Sequence, residues 1–370
     1  MLYLFNSGAR VGYIDNILNT MHLPYGSENL YQYSYENNSY IDDSIVEGTI
    51  KGRKIKDANV LIVFINKDKI PYEYIPLRKA KLILKEDKNG RSYFYVSLRE
   101  HCSYDGNYEL FNKTFINKFG EKLFRSDVKQ TKDTIDQKNN KGFLAFYGDD
   151  IPELIKSDEN SWKVTVKKLS QCSLFKENVV FTKVDITKNM KPIACNALRV
   201  SGSPIYTFKK GTKYTAEMSY YVPFHDQDPT INFDVEMFSN PDSDMIKGAS
   251  LVQKLNIMDG MAKFKFFATD VCKCEEIIFK VCDANTKSLK ISYKPFAYNV
   301  SNNFWQKFSL LVLVIVNIVL LYAINYSTAL IDNVTEIKEL NPWYFVLLTI
   351  SSTLSTGVIW LITKIFGKKK

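Results

Sequence analysis

Two long uncharged runs near the C-terminal end constrain this chain more than any other feature. Residues 308–331 (FSLLVLVIVNIVLLYAINYSTALI) and 341–363 (NPWYFVLLTISSTLSTGVIWLIT) contain no Asp, Glu, Lys or Arg. At about 1.5 Å per residue, a helix over either run spans a hydrocarbon core of roughly 30 Å, so the pattern predicts a transmembrane hairpin. Trp305, Trp343, Tyr344 and Trp360 stand near the ends of the runs, where amphipathic rings favour the interface. Lys307 precedes the first run and Lys364, Lys368, Lys369 and Lys370 follow the second, while Asp332, Glu336 and Glu339 outnumber Lys338 between them. The positive-inside rule then puts both termini in the cytoplasm of a two-pass protein of the inner (plasma) membrane, with the lipid bilayer as its partner. The opening MLYLFNSGARVGYIDN has no basic n-region and no sustained apolar core, which agrees with a cytoplasmic soluble part.

The two runs differ in character. The first is aliphatic with Asn317 near its middle, and the second carries Thr349, Thr353 and Gly357 at i+4 spacing with Ser352 and Thr356 beside them. Small and polar residues at bilayer depth serve either close helix packing or, once copies assemble, a conducting face. Packing between copies and a conducting face both imply the expected homo-oligomer, whereas packing within one hairpin does not.

Ahead of the hairpin, 303–370, the rest of the 370 residues suffices for about two domains. Tyr (23) and Phe (24) dominate an aromatic share of 14%, which favours strands. Over 1–150 the expected fold is a small α+β barrel: a strand at 2–5, a helix from Val11, Ile14, Leu18 and Met21, then strands at 30–35, 60–65, 74–84 and 92–98. One early helix beside several strands resembles a PUA- or OB-type barrel. The polar stretch 125–140 reads as a loop or linker, and 143–147 as a strand returning to the barrel. From 151 to 302 short strands recur, at 163–168, 179–186, 198–201, 213–222, 231–238, 251–257, 263–268, 277–282 and 288–293. Tight turns are expected at Lys210-Gly211 and Asp259-Gly260. This spacing predicts an antiparallel, immunoglobulin-like β-sandwich.

No phosphate loop, G-x-S-x-G elbow or H-E-x-x-H motif occurs in the sequence, and no acid/base pair can be nominated, so neither an enzyme nor a cofactor is expected. The six cysteines, without a CxxC pair, read as small core residues; a zinc site drawing on Cys272, Cys274, Cys282 and His101-Cys102 is the alternative. His225 lies in an acidic loop, 223–228, that turn chemistry explains as well as cation binding does. The net charge of +9 suits an anionic partner. Arg78, Lys79 and Lys81 in a barrel strand, with Arg53 and Lys54 before another, are the candidate ligand-binding cations, since barrels of these types bind nucleic acid through basic, aromatic faces. A solvated strand face is the plainer alternative.

A β-rich soluble part followed by a two-helix hairpin with a Thr/Ser/Gly face resembles membrane effectors of prokaryotic antiviral defence systems. The opening Tyr3-Leu-Phe-Asn-Ser-Gly8 is similar to the start of uncharacterised bacterial proteins. The resemblance implies that the soluble domains sense a sensor protein, nucleic acid or nucleotide, and that the hairpins then assemble and permeabilise the membrane. The alternative is a membrane-tethered binding or scaffold protein whose hairpin only anchors it.

Overall fold

The structure is a computed structural model. It describes residues 1–6, 11–34, 41–42, 45, 49–50, 53–54, 58–69, 72–104, 108–120, 144–150, 154–176, 179–193, 196–197, 204–222, 233–239, 246–247, 251–255, 259–283, 290–291 and 296–331. Strands β1 (Leu2–Asn6), β2 (Glu28–Ser34), β3 (Asn59–Asn66), β4 (Glu73–Lys88), β5 (Arg91–His101) and β6 (Ala145–Tyr147) form one sheet in the order β2-β5-β4-β3-β1-β6. Among the described residues this order is open at both ends, so an open six-stranded sheet stands where a closed barrel was expected. Only β1 and β3 run parallel, Tyr3 lying opposite Leu61. Asn89 and Gly90, both at positive φ, make the tight β4–β5 turn read from the sequence.

Helix α1 (Val11–His22) buries Ile17, Leu18 and Met21 against one face of the sheet. The opposite face of β1 and β3 is covered by α2 (Tyr108–Phe119), whose Phe111, Phe115 and Phe119 recur every four residues. The Phe115 and Phe119 rings meet Tyr3, Phe5 and Tyr74 edge-on or tilted at centroid distances of 4.8–6.0 Å, and Phe111 stacks on Phe115. Each fully buried Phe contributes about 1.5–3 kcal/mol. The sequence reading missed this helix.

Helix α3 (Ser161–Ser170) corrects the strand expected at 163–168. Trp162, Thr165, Val166 and Leu169, among its six buried residues, are spaced i, i+3, i+4, i+7, and that helical face won over the alternation of Trp162, Val164 and Val166. The Trp162 indole donates to the Met21 carbonyl (3.1 Å) and the Thr165 hydroxyl to that of Cys102 (2.8 Å), clamping α3 to the α1 and β5 ends.

Beyond α3 two further sheets face each other. One joins β7 (Val179–Lys188), β9 (Lys213–Tyr221) and β12 (Asp259–Ala268); the other orders β8 (Pro204–Lys209), β14 (Phe296–Ser301), β13 (Cys272–Asp283), β10 (Phe233–Ser239) and β11 (Leu251–Leu255). Phe208 of β8 meets Phe266 of β12 at 5.2 Å and Tyr214 of β9 at 4.7 Å, which places the core between the sheets. This β-rich content is compatible with a sandwich. The expected wholly antiparallel pairing is not: β8 and β14 are parallel. Gly211 does take a positive φ, but its turn carries the chain from one sheet to the other rather than closing a hairpin. Asp259-Gly260 is no turn, because both residues lie in β12 opposite Tyr221 and Tyr220. The expected strand at 198–201 and the polar stretch 125–140 lie outside the described residues.

The sandwich and the first sheet share one continuous core. The buried His22 ring stacks on Phe296 (5.2 Å, 9° between planes), its Nδ1 lies 2.7 Å from the Thr182 hydroxyl, and Phe175 bridges Phe64 to Phe181.

The transmembrane hairpin is withdrawn. Among the described residues no helix is long and apolar enough to cross a membrane. The C-terminal helix α4 (Phe304–Ile331) follows β14. The second run, 341–363, lies outside the described residues. The two-pass inner-membrane placement and the orientation drawn from it fall with the hairpin.

His101 gives the fold a pH dependence. It is buried, its Nε2 donates to the Met21 carbonyl at 3.0 Å, and burial, with the charges of Arg78 and Lys183, holds its pKa well below 6.5. A base whose pKa is depressed on folding takes up protons preferentially when unfolded. Its contribution is therefore complete above pH 6.5 and is lost below it, by about 1.4 kcal/mol per pH unit. We expect the urea midpoint to fall between pH 7.5 and 5.5, and the fall to be smaller in His101→Gln, which keeps a donor without the titration.

A basic, tyrosine-bearing sheet face as candidate functional site

Strand alternation decides which cations of the first sheet reach solvent. Arg78 sits opposite Ile62, itself opposite Leu4, in the row beneath α1. It is 1% exposed, and its guanidinium donates to the carbonyls of Thr20 (2.9 Å), Leu23 and Arg99 (2.6 Å). It is thus a structural clamp, contrary to its expected place among ligand-binding cations. Lys79 and Lys81, one residue to either side of the next buried position, Ala80, point to the other face and are half-buried.

On that other face the register builds ordered rows. Gln32, Tyr93 and Glu86 form one; Leu30, Tyr95 and Leu84 the next; Glu28, Ser97 and Lys81 the third. In β5 the inward Ser92, Phe94, Val96 and Leu98 are fully buried, while Tyr93, Tyr95, Ser97 and Arg99 between them are half-buried. Arg91 and Lys88, at the turn, are exposed. Arg99 lies 5.2 Å from the centre of the Tyr25 ring and donates to its hydroxyl at 3.0 Å, holding that ring, 43% exposed, at the rim. Five cations (Lys79, Lys81, Lys88, Arg91, Arg99) thus share a face with two acids, Glu28 and Glu86, and with the rings of Tyr93 and Tyr95. Any half-solvated sheet alternates. The excess of cations around tyrosines at strand-pair spacing is what distinguishes this one.

The remaining sequence candidates are not drawn to this face. Arg53 and Lys54 lie in a two-residue ladder with Thr49–Ile50, and their side chains lie outside the described residues. Asn317 is half-buried in α4, and the Trp305 side chain is not described. Thr349, Ser352, Thr353, Thr356, Gly357, Trp343, Tyr344, Trp360, Lys364, Lys368, Lys369 and Lys370 fall outside the described residues, as do the loop at 223–228 and Cys195.

Cys102 and Cys172 are buried and their thiols pushed up to about 12 by burial, so these two are inert core residues, whereas Cys274 is exposed. Among the described residues no three His, Cys, Asp or Glu side chains gather as a metal set. The sequence reading missed Tyr93, Tyr95, Arg91 and Arg99, although the alternation in 92–98 carried the signal.

No family model and no curated protein matches this chain. The resemblance to antiviral membrane effectors accordingly gains no support from known proteins.

Proposed function

We propose that the protein binds single-stranded nucleic acid on the β2-β5-β4 face of its N-terminal sheet. The observation carrying this reading is the co-location of Tyr93 and Tyr95 with Lys79, Lys81, Arg91 and Arg99 on one half-exposed side. Base stacking on tyrosine is indifferent to sequence, and lysine and arginine around the rings neutralise phosphates. A duplex hides its bases from rings fixed on a sheet, so the arrangement favours an unpaired strand. The overall charge of +9 draws the polyanion in from a distance. The role is that of a binding or sensing module; the reading keeps the ligand-recognition part of the effector expectation and none of its membrane part.

Fluorescence anisotropy with labelled single-stranded oligonucleotides tests it. Tyr95→Ala should weaken binding about 10- to 100-fold, the equivalent of losing one stacked base. Unchanged affinity in Tyr93→Ala and Tyr95→Ala would reject the face.

A further inference from the structure

A second site lies apart from the strand rows just described. An open cavity of about 590 Å³ forms between α2, α3 and the segment that enters β4. Its wall is the polar stripe of α2, where Tyr108, Asn112, Lys113, Ile116 and Asn117 follow one helical side next to the buried phenylalanine stripe. Its floor is Glu73, 3% exposed, whose carboxylate accepts from Lys168 of α3 (2.8 Å), Lys69 (3.1 Å) and the Asn66 amide (2.7 Å). Burial pushes the Glu73 carboxyl up, yet these hydrogen bonds outweigh it and hold the group below its usual range, as an anion. Lys168 also lies 4.3 Å from the centre of the Tyr108 ring, whose hydroxyl donates to the Tyr74 carbonyl. The floor is therefore fixed by partners from three elements.

Charge selects the ligand. The single carboxylate of Glu73 faces two ammonium groups, and Lys69 remains 61% exposed at the mouth, with Lys113 on the wall beside it. Glu109, exposed in the first turn of α2, is the other acid of the lining, against the three lysines Lys69, Lys113 and Lys168. An anionic head meets two lysines there, while Asn112, Asn117 and Ile116 offer amide and apolar surface to an attached organic group. The volume falls in the range of small-molecule sites, roughly 300–1,000 Å³. We propose that this cavity binds a small organic phosphate of about nucleoside-monophosphate size, its phosphate held by Lys69 and Lys113. The proposal is independent of the sheet face.

Calorimetric titration of the full-length protein with AMP, ribose 5-phosphate, inorganic phosphate and adenosine tests it. Saturable binding of AMP is expected, with adenosine at least 10-fold weaker; binding of ribose 5-phosphate alongside AMP would place recognition on the phosphate ester, and stronger binding of AMP would add the base. Lys113→Glu, at an exposed position, should weaken AMP at least 10-fold while leaving the unliganded melting temperature and oligonucleotide affinity unchanged. Lys69→Gln should also weaken AMP at least 10-fold with unchanged oligonucleotide affinity, but should lower the melting temperature because it removes a donor to Glu73. Absence of saturable binding by every phosphate up to about 10 mM would overturn the proposal. So would adenosine binding as well as AMP, inorganic phosphate binding as tightly as the esters, or an undiminished affinity in both variants.

Discussion

Replacing Arg78 by Met should cost about 3–5 kcal/mol of stability, close to the whole margin by which many domains stay folded. Arg78 is the largest fully buried side chain among the described residues, and it supplies donors to three carbonyls. Two of these, Thr20 and Leu23, belong to the end of α1, where the last carbonyls of a helix have no partner of their own. A positive charge there also faces the negative end of the helix dipole. Met fills a similar volume but leaves the carbonyls buried and unsatisfied, at about 1–3 kcal/mol each. Lysine should not rescue, because one ammonium cannot reproduce a planar fork reaching three acceptors. Urea denaturation checks this, with Lys79→Met as the comparison: one residue along and half-exposed, it should change stability by less than about 0.5 kcal/mol. A small effect at Arg78 would mean that its carbonyl contacts are not what holds α1 to the sheet.

Gly260→Ala should destabilise the sandwich by about 1–3 kcal/mol, although alanine normally suits a strand better than glycine. A Cβ at this position would overlap the Tyr220 hydroxyl oxygen and its Cζ. Tyr220 is fully buried and its backbone is held opposite Gly260 in the β9–β12 ladder, so the ring has no room to withdraw. The sign of the effect should reverse when the ring is removed. In a Tyr220→Ala background the same substitution should become neutral or stabilise by about 0.5–1 kcal/mol. A thermal or urea double-mutant cycle measures the coupling; additive effects would show that ring packing does not require this glycine.

Much of the strand content was legible because period-two alternation is a local signal. Tyr74, Leu82, Phe94 and Val96 announce their strands whatever lies beyond them. Alternation also held the information that Arg78 and Lys79 face opposite ways, and grouping the cations by sequence proximity concealed it. Segments where two periods coexist were not legible. Trp162 to Lys168 alternates and also fits a helix, and the choice is made by partners far away in sequence, the Met21 and Cys102 carbonyls. Asp259-Gly260 looked like a turn because glycine there answers a steric demand from Tyr220, forty residues earlier, rather than a need for positive φ. The cavity was out of reach for the same reason: Glu73, Lys113 and Lys168 come from three separate elements, and only the packing of α2 and α3 around β4 brings them together. Open against closed sheets was likewise undecidable, since the β2 and β6 edges are defined by pairings absent from local pattern.

The central claim, a single strand lying on the tyrosine-bearing face, is tested most directly by the salt dependence of oligonucleotide binding. With about four phosphates neutralised, the logarithm of the association constant should fall against the logarithm of salt concentration with a slope near −3. Lys79→Ala and Arg91→Ala should each make that slope shallower by about 0.7 while Lys113→Glu leaves it alone. Absence of binding at low salt, or a slope that these two substitutions do not change, would contradict the account.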